Sequence, residues 1–130
     1  MIGKNNSLVH SELSYTLVGK SFEVYNQLGS GHKEKIYQQA FAEALSKAGL
    51  KFGEQIYCPI YFGNKIVGKY YLDFLVNDLV VVELKVGRRY RKQDYEQIKR
   101  YLSHSKIGLG LLVRFDESGV TFQRVLRPHS

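Results

Sequence analysis

The run Leu79-Val80-Val81-Val82-Glu83-Leu84-Lys85-Val86 constrains this chain more than any other stretch. It is short and almost continuously apolar, as expected of a strand buried on both faces rather than one with a solvated side. Such a strand needs elements packed above and below it, which predicts an α/β fold with a central mixed sheet flanked by helices. The chain has 130 residues, 44% of them hydrophobic, with only two prolines and no linker or repeat, so residues 1–130 are predicted to form a single domain.

The other elements follow from periodicity and turn residues. Leu13, Leu17, Val18, Val24, Tyr25 and Leu28 recur at helical spacing and predict a helix from Leu8 to Leu28, stopped at Gly29. Tyr37, Ala40, Phe41, Ala44, Leu45 and Ala48 predict a second, from His32 to Ala48. Strands are predicted over Glu54–Tyr61, Ile66–Val76, Val80–Val86, Leu109–Phe115 and Val120–Val125. The turns at Gly63-Asn64 and Asn77-Asp78 make the first three a meander. A helix from Gln93 to Ser103 then crosses over, so Leu109–Phe115 is predicted to return parallel to Val80–Val86.

Charges interrupt the apolar strands at informative places. Glu83 and Lys85 are two residues apart and share a side of their strand, about 7 Å apart along it. Taken alone they read as a salt bridge between neighbours. Ten residues upstream, however, Asp73 interrupts Tyr70-Tyr71-Leu72-Asp73-Phe74-Leu75-Val76 in the same way. Like charges gathered in a core are costly unless a cation joins them. The two acids face each other only if paired residue numbers sum to 156, which requires the three-residue loop Asn77-Asp78-Leu79. Glu34 lies on the apolar stripe of the second helix, three before Tyr37 and seven before Phe41. It reads either as a first-turn acid favouring the helix dipole or as a third oxygen ligand over the Asp73 and Glu83 edge. Oxygen ligands of this kind suit Mg²⁺ or Mn²⁺.

Gly31-His32-Lys33-Glu34-Lys35-Ile36-Tyr37 carries a GxxExxY signature, and Asp73 with Glu83-Leu84-Lys85 carries a D...ExK core. The chain resembles the GxxExxY proteins, a group placed in the PD-(D/E)XK nuclease superfamily. The likeness runs from Ser11-Glu12-Leu13-Ser14-Tyr15 to Gln97-Ile98-Lys99-Arg100-Tyr101-Leu102 and Gly110-Leu111-Leu112-Val113, although position 72 is Leu where the superfamily's name has Pro. The resemblance implies a restriction-endonuclease-like core and a metal-dependent phosphodiesterase acting on nucleic acid, DNA in preference to RNA. Asp73 and Glu83 would ligate the metal, with the Leu84 carbonyl and Glu34 as further ligands. Lys85 would orient or help deprotonate the attacking water. Gln97 matches a glutamine that lies beside the catalytic lysine in some relatives; here it reads equally as a solvated or capping helix residue.

The formal net charge is +7, from 19 Lys and Arg against 12 Asp and Glu, which favours a polyanionic partner. The densest basic run, Arg88, Arg89, Tyr90, Arg91 and Lys92, directly follows Lys85 and is expected to contact phosphates, together with Lys33. A solvated loop is the plain alternative. Tyr70, Tyr71, Tyr90, Tyr95 and Tyr101 could stack on bases or simply pack. Cys58, the only cysteine, reads as a small buried hydrophobe and, with no apolar signal core in Met1–His10, predicts a cytoplasmic protein. No apolar run approaches the ~18 residues of a membrane span. The histidines at 10, 32, 104 and 129 show no zinc-ligand spacing, and no Walker-type glycine loop is present. So small a domain offers little surface for gripping a duplex, which favours a homodimer with two sites. The competing reading is a non-catalytic nucleic-acid-binding or interaction module that keeps the nuclease fold.

Overall fold

In a computed structural model, residues 9–128 are described. Helices α1 (Ser11–Leu28) and α2 (Glu34–Lys47) precede strands β1 (Phe52–Phe62), β2 (Lys65–Val76) and β3 (Val80–Val86). Helix α3 (Lys92–Ser103) then leads to β4 (Leu109–Asp116) and β5 (Gly119–Leu126). One mixed sheet runs β1-β2-β3-β4-β5, with every neighbouring pair antiparallel except β3 and β4. This is the predicted α/β architecture, and the crossover through α3 returns parallel as expected. The boundaries move slightly. Residue 8, predicted to start α1, lies outside the described residues. Helix α2 starts at Glu34 instead of His32 because Lys33 is extended, with φ −69° and ψ 152°. Lys92, expected in the basic loop, is the first residue of α3.

Strand β3 packs on both faces, as its composition demands. Val80, Val82 and Leu84 join Leu17, Tyr37 and Phe41 in the core under α1 and α2, whereas Val81 joins Ile98 and Leu102 under α3. The α1 stripe buries two serines among its apolar residues. Ser21 Oγ donates to the Val18 carbonyl, and Ser14 Oγ accepts from Arg124, so neither hydroxyl is left unpaired. At Gly110 the Ile98 side chain of α3 packs directly over the β4 backbone. A Cβ there would lie 2.4 Å from Ile98 Cγ2 and 3.2 Å from Val81 Cγ1. Gly110→Ala is therefore expected to cost about 2 kcal/mol by overpacking and to lower Tm by roughly 5–10 °C in a thermal melt.

The β2–β3 register is the one the acids require. Phe74 pairs with Val82, Leu75 with Val81 and Val76 with Val80, closed by the loop Asn77-Asp78-Leu79. Asn77 and Asp78 take left-handed backbone angles, φ 53° and 55°, which these two residue types tolerate best after glycine. Further along the sheet the regular alternation breaks at Asp73. Tyr70 and Leu72 face the α3 side, but Phe74 and Val76 face α1 and α2. Its neighbour in β1, Gln55, has φ 54°, and the ladder passes from Glu54↔Phe74 to Ile56↔Leu72 without pairing the two. Both strands thus slip by one residue at the same point, a bulge-like bend of the kind that re-aims a side chain.

Candidate active site

Beyond Phe74↔Val82 the β2–β3 ladder gives way to bonds made by the acids. The Asp73 N–H donates to Glu83 Oε1 at 2.9 Å, and the Leu84 N–H donates to Asp73 Oδ2 at 2.8 Å. Each carboxylate takes over a backbone donor of the opposite strand. In a strand the N–H and carbonyl of one residue leave on the same side, so the Leu84 carbonyl faces this gap while its side chain sits in the core. The remaining oxygens are also engaged. Asp73 Oδ1 accepts from Gln38 Nε2 at 2.8 Å, and Glu83 Oε2 lies 3.3 Å from Lys85 Nζ.

Burial sets the electrostatics. Asp73 and Glu83 are only 5% and 4% exposed. Burial, and then the charge of Asp73, push Glu83 up to about 8; burial likewise raises Asp73, against the pull of the Leu84 N–H. Lys85 feels burial lowering its pKa, but Glu83, Glu34 and Asp94 outweigh it and hold the ammonium above its ordinary value. Two desolvated carboxylates that resist sharing negative charge, beside a strand carbonyl, are a donor set suited to a hard divalent cation that keeps most of its waters. The fit is that of a two-carboxylate site. Among the described residues no group of three or more His, Cys, Asp or Glu is arranged to hold a metal ion.

The expected meeting of three acids is thus corrected to two plus one. Glu34 stands at the start of α2, one turn before Gln38, and the Gln38 amide lies between Glu34 Oε2, 3.4 Å away, and Asp73. Glu34 still belongs to the neighbourhood, since burial first, and then Asp73 and Asp94, raise its pKa while Lys85 lowers it. The GxxExxY spacing acquires a physical reading here. Gly31 has φ 94°, which suits glycine; Tyr37, three residues after Glu34, points into the core, donates to the Gly29 carbonyl at 2.6 Å and stacks on Phe115 at 4.4 Å. Tyr37 anchors the helix whose first turn presents Glu34.

Residues beyond the predicted set complete the other side. Lys85 Nζ lies 3.7 Å from Asp94 Oδ1, and Asp94 Oδ2 lies 3.8 Å from a terminal nitrogen of Arg114, the β4 residue in register with Lys85. The Tyr90 ring covers the Arg114 guanidinium at 4.4 Å. Sequence reasoning missed Gln38, Asp94 and Arg114. Arg114 had a signal, since it interrupts an apolar strand just as Asp73 and Glu83 do. Gln97 does not join the site by any hydrogen bond: its carbonyl accepts from Tyr70 at 2.7 Å, and its side chain bonds no described residue. Tyr70, Tyr95 and Tyr101 pack around the α3 core, which leaves Tyr71 and Tyr90 as the more exposed candidates for stacking. Arg88, Arg89, Tyr90, Arg91, Lys92 and Lys33 are all exposed, and Arg88 pairs with Glu117. Cys58 is buried, as expected.

A mixed sheet with helices on both faces and a D...ExK set where two central strands part defines the restriction-endonuclease-like class. The sequence pattern of the PD-(D/E)XK nuclease superfamily matches residues 11–125, and the chain belongs to that superfamily. Nucleases of this superfamily generally use divalent metal ions. The solved structure of SSO0001 is similar to this one with a TM-score of 0.57, 13% identity, and coverage of 91% of this chain and 79% of that one. The alkaline exonuclease LHK-Exo from Laribacter hongkongensis aligns with a TM-score of 0.48 and 13% identity, over 91% of this chain and 82% of that one. No curated protein matches the sequence significantly. No described helix is long and apolar enough to cross a membrane.

Proposed function

We propose that the protein is a nuclease that hydrolyses phosphodiester bonds of nucleic acid, DNA rather than RNA, with Mg²⁺ or Mn²⁺ as cofactor. The observation that carries this reading is the buried Asp73 and Glu83 pair at the parting of β2 and β3, with Lys85 against it at the edge of a basic cleft. Asp73, Glu83 and the Leu84 carbonyl would hold the ion, with Glu34 as an outer carboxylate across Gln38. A bound divalent cation supplies Lewis-acid polarisation and a water of lowered pKa. Lys85 holds its proton through the resting state, orients the attacking water and steadies charge developing on the phosphoryl group. Gln97 has a role only if its side chain turns toward Lys85 when substrate binds.

The trial is incubation of the purified protein with linear, branched and single-stranded DNA and with RNA, in Mg²⁺, Mn²⁺ or EDTA. Cleavage confined to the metal lanes supports the reading; no cleavage of any substrate leaves the binding module. The same panel separates DNA from RNA, and sedimentation velocity decides whether the protein acts as the homodimer that this reading includes. A cytoplasmic location belongs to it too, resting on the single buried cysteine. Arg88, Arg89, Tyr90, Arg91, Lys92 and Lys33 would track the phosphates. Changing Arg88, Arg89 and Arg91 together to Ala is expected to weaken binding and to flatten the plot of log affinity against log salt by up to about three. An unaltered affinity and slope would show the loop to be merely solvated.

A further inference from the structure

Next to the acid pair lies a cleft of about 420 Å³ with the opposite character. Lys85 and Arg114 border it from the sheet and Arg88, Arg89 and Arg91 from the loop, against only two carboxylates, Glu34 and Asp94. Arg114 differs from the loop arginines. It is 3% exposed, and its Nε and one terminal nitrogen have no hydrogen-bond partner among the described residues. Asp94 Oδ2, 3.8 Å from that terminal nitrogen, is equally unbonded. A guanidinium buried for packing would be expected to have its donors satisfied, because orphaned buried polar groups are costly. The Tyr90 ring lies 4.4 Å from the guanidinium carbon and covers one face. Stacking fixes the plane of the group, whereas its donors point outward along the edges, the presentation that matches phosphate oxygens in a two-pronged contact.

We propose that Arg114 is the floor of a phosphate pocket. Its free edge, with Lys85 and the rim arginines Arg89 and Arg91, holds a phosphate of the nucleic acid beside the one to be cut. Asp94 balances Arg114 and Lys85 until the phosphate arrives, and Tyr90 sets the angle of the fork. The substrate class rests on the nuclease reading, but the test does not.

Binding is measured in EDTA, where metal-dependent cleavage is absent, by fluorescence anisotropy of short labelled DNA duplexes across a salt series. One duplex has 5′-phosphate ends and the other 5′-hydroxyl ends. Arg114→Gln is expected to weaken binding about tenfold, and to lower the salt slope by about one. Tyr90→Ala is expected to weaken it several-fold, while Lys47→Ala, at the far end of α2, leaves both unchanged. A loss on both duplexes assigns the pocket to a backbone phosphate, and a loss confined to the phosphorylated one assigns it to a terminal phosphate. A folded Arg114→Gln protein with the affinity and slope of the wild type overturns the proposal. Should that variant not fold, Arg114→Lys, which keeps the charge but loses the two-pronged donor edge, decides by the same loss of affinity. A wild type that never cleaves yet shows these losses sinks the nuclease reading and keeps the pocket. A wild type that cleaves while Arg114→Gln binds normally does the reverse.

Discussion

Glu83→Gln and Lys85→Ala are each expected to lower metal-dependent cleavage by at least about 10³-fold. The two losses have different causes. Glu83 contributes an oxygen to the proposed ion site and, through its other oxygen, receives the Asp73 N–H. Gln keeps an acceptor for that N–H but gives up the charge, so the fold is retained while the donor set is spoiled. Lys85 touches no backbone donor; its ammonium lies 3.3 Å from Glu83 and 3.7 Å from Asp94. Its removal takes away the group that orients water and meets developing charge. Affinity in EDTA separates them further: Glu83→Gln, which stays neutral where the buried Glu83 carboxyl can still ionise as pH approaches 8, should bind nucleic acid at least as tightly as the wild type, and Lys85→Ala more weakly. Cleavage by either variant within a few-fold of the wild-type rate would remove the chemistry from this pair.

The metal-free protein is expected to lose stability as pH rises from about 5 to 8. Burial raises the Glu83 carboxyl from 4.5 to about 8. Between those values the folded state keeps a proton that the unfolded chain has released, so raising pH favours unfolding. Each such group contributes a slope of up to about 1.4 kcal/mol per pH unit. Asp73 and Glu34 are raised as well and act with the same sign. The raised pKa of Lys85 acts only above its ordinary 10.5, outside this window. Mn²⁺ or Mg²⁺ competes with these protons, so either should restore stability more at pH 8 than at pH 5.5. Thermal melts over this range, with EDTA and with each metal, test both statements, and Glu83→Gln should flatten the metal-free slope. A slope as steep in that variant as in the wild type, or stability that rises with pH, would place the strain elsewhere.

The fold and half of the site are legible in the sequence for a common reason. Strand periodicity is two, so the loop Asn77-Asp78-Leu79 fixes which residues of β2 and β3 meet, and a one-residue error would have sent Asp73 and Glu83 to opposite faces. The near-continuous apolar run of β3 demanded helices on both sides. What stayed hidden depends on tertiary geometry. Nothing in Glu54-Gln55-Ile56 announces the left-handed angle at Gln55, so the coincident slip of β1 and β2 could not be foreseen. Gln38 is an ordinary helix glutamine until α2 lies over Asp73. Asp94 in the first turn of α3 reads as a dipole-favouring acid, and Arg114 interrupts an apolar strand without showing that Asp94 and Tyr90 are the groups that meet it. Gln97 keeps both of its readings: its carbonyl meets Tyr70 on the α3 side, while Asp94, one turn earlier, contacts Lys85.

Mn²⁺ binding followed by electron paramagnetic resonance tests the central claim most directly, because it needs neither substrate nor turnover. Wild-type protein at pH 8 should remove Mn²⁺ from the free signal with a saturable stoichiometry, and Mg²⁺ should compete. Asp73→Asn and Glu83→Gln should abolish that binding, whereas Gln97→Ala should leave it intact. Absence of Mn²⁺ binding by the wild type, or binding unchanged in both acid variants, would contradict the account.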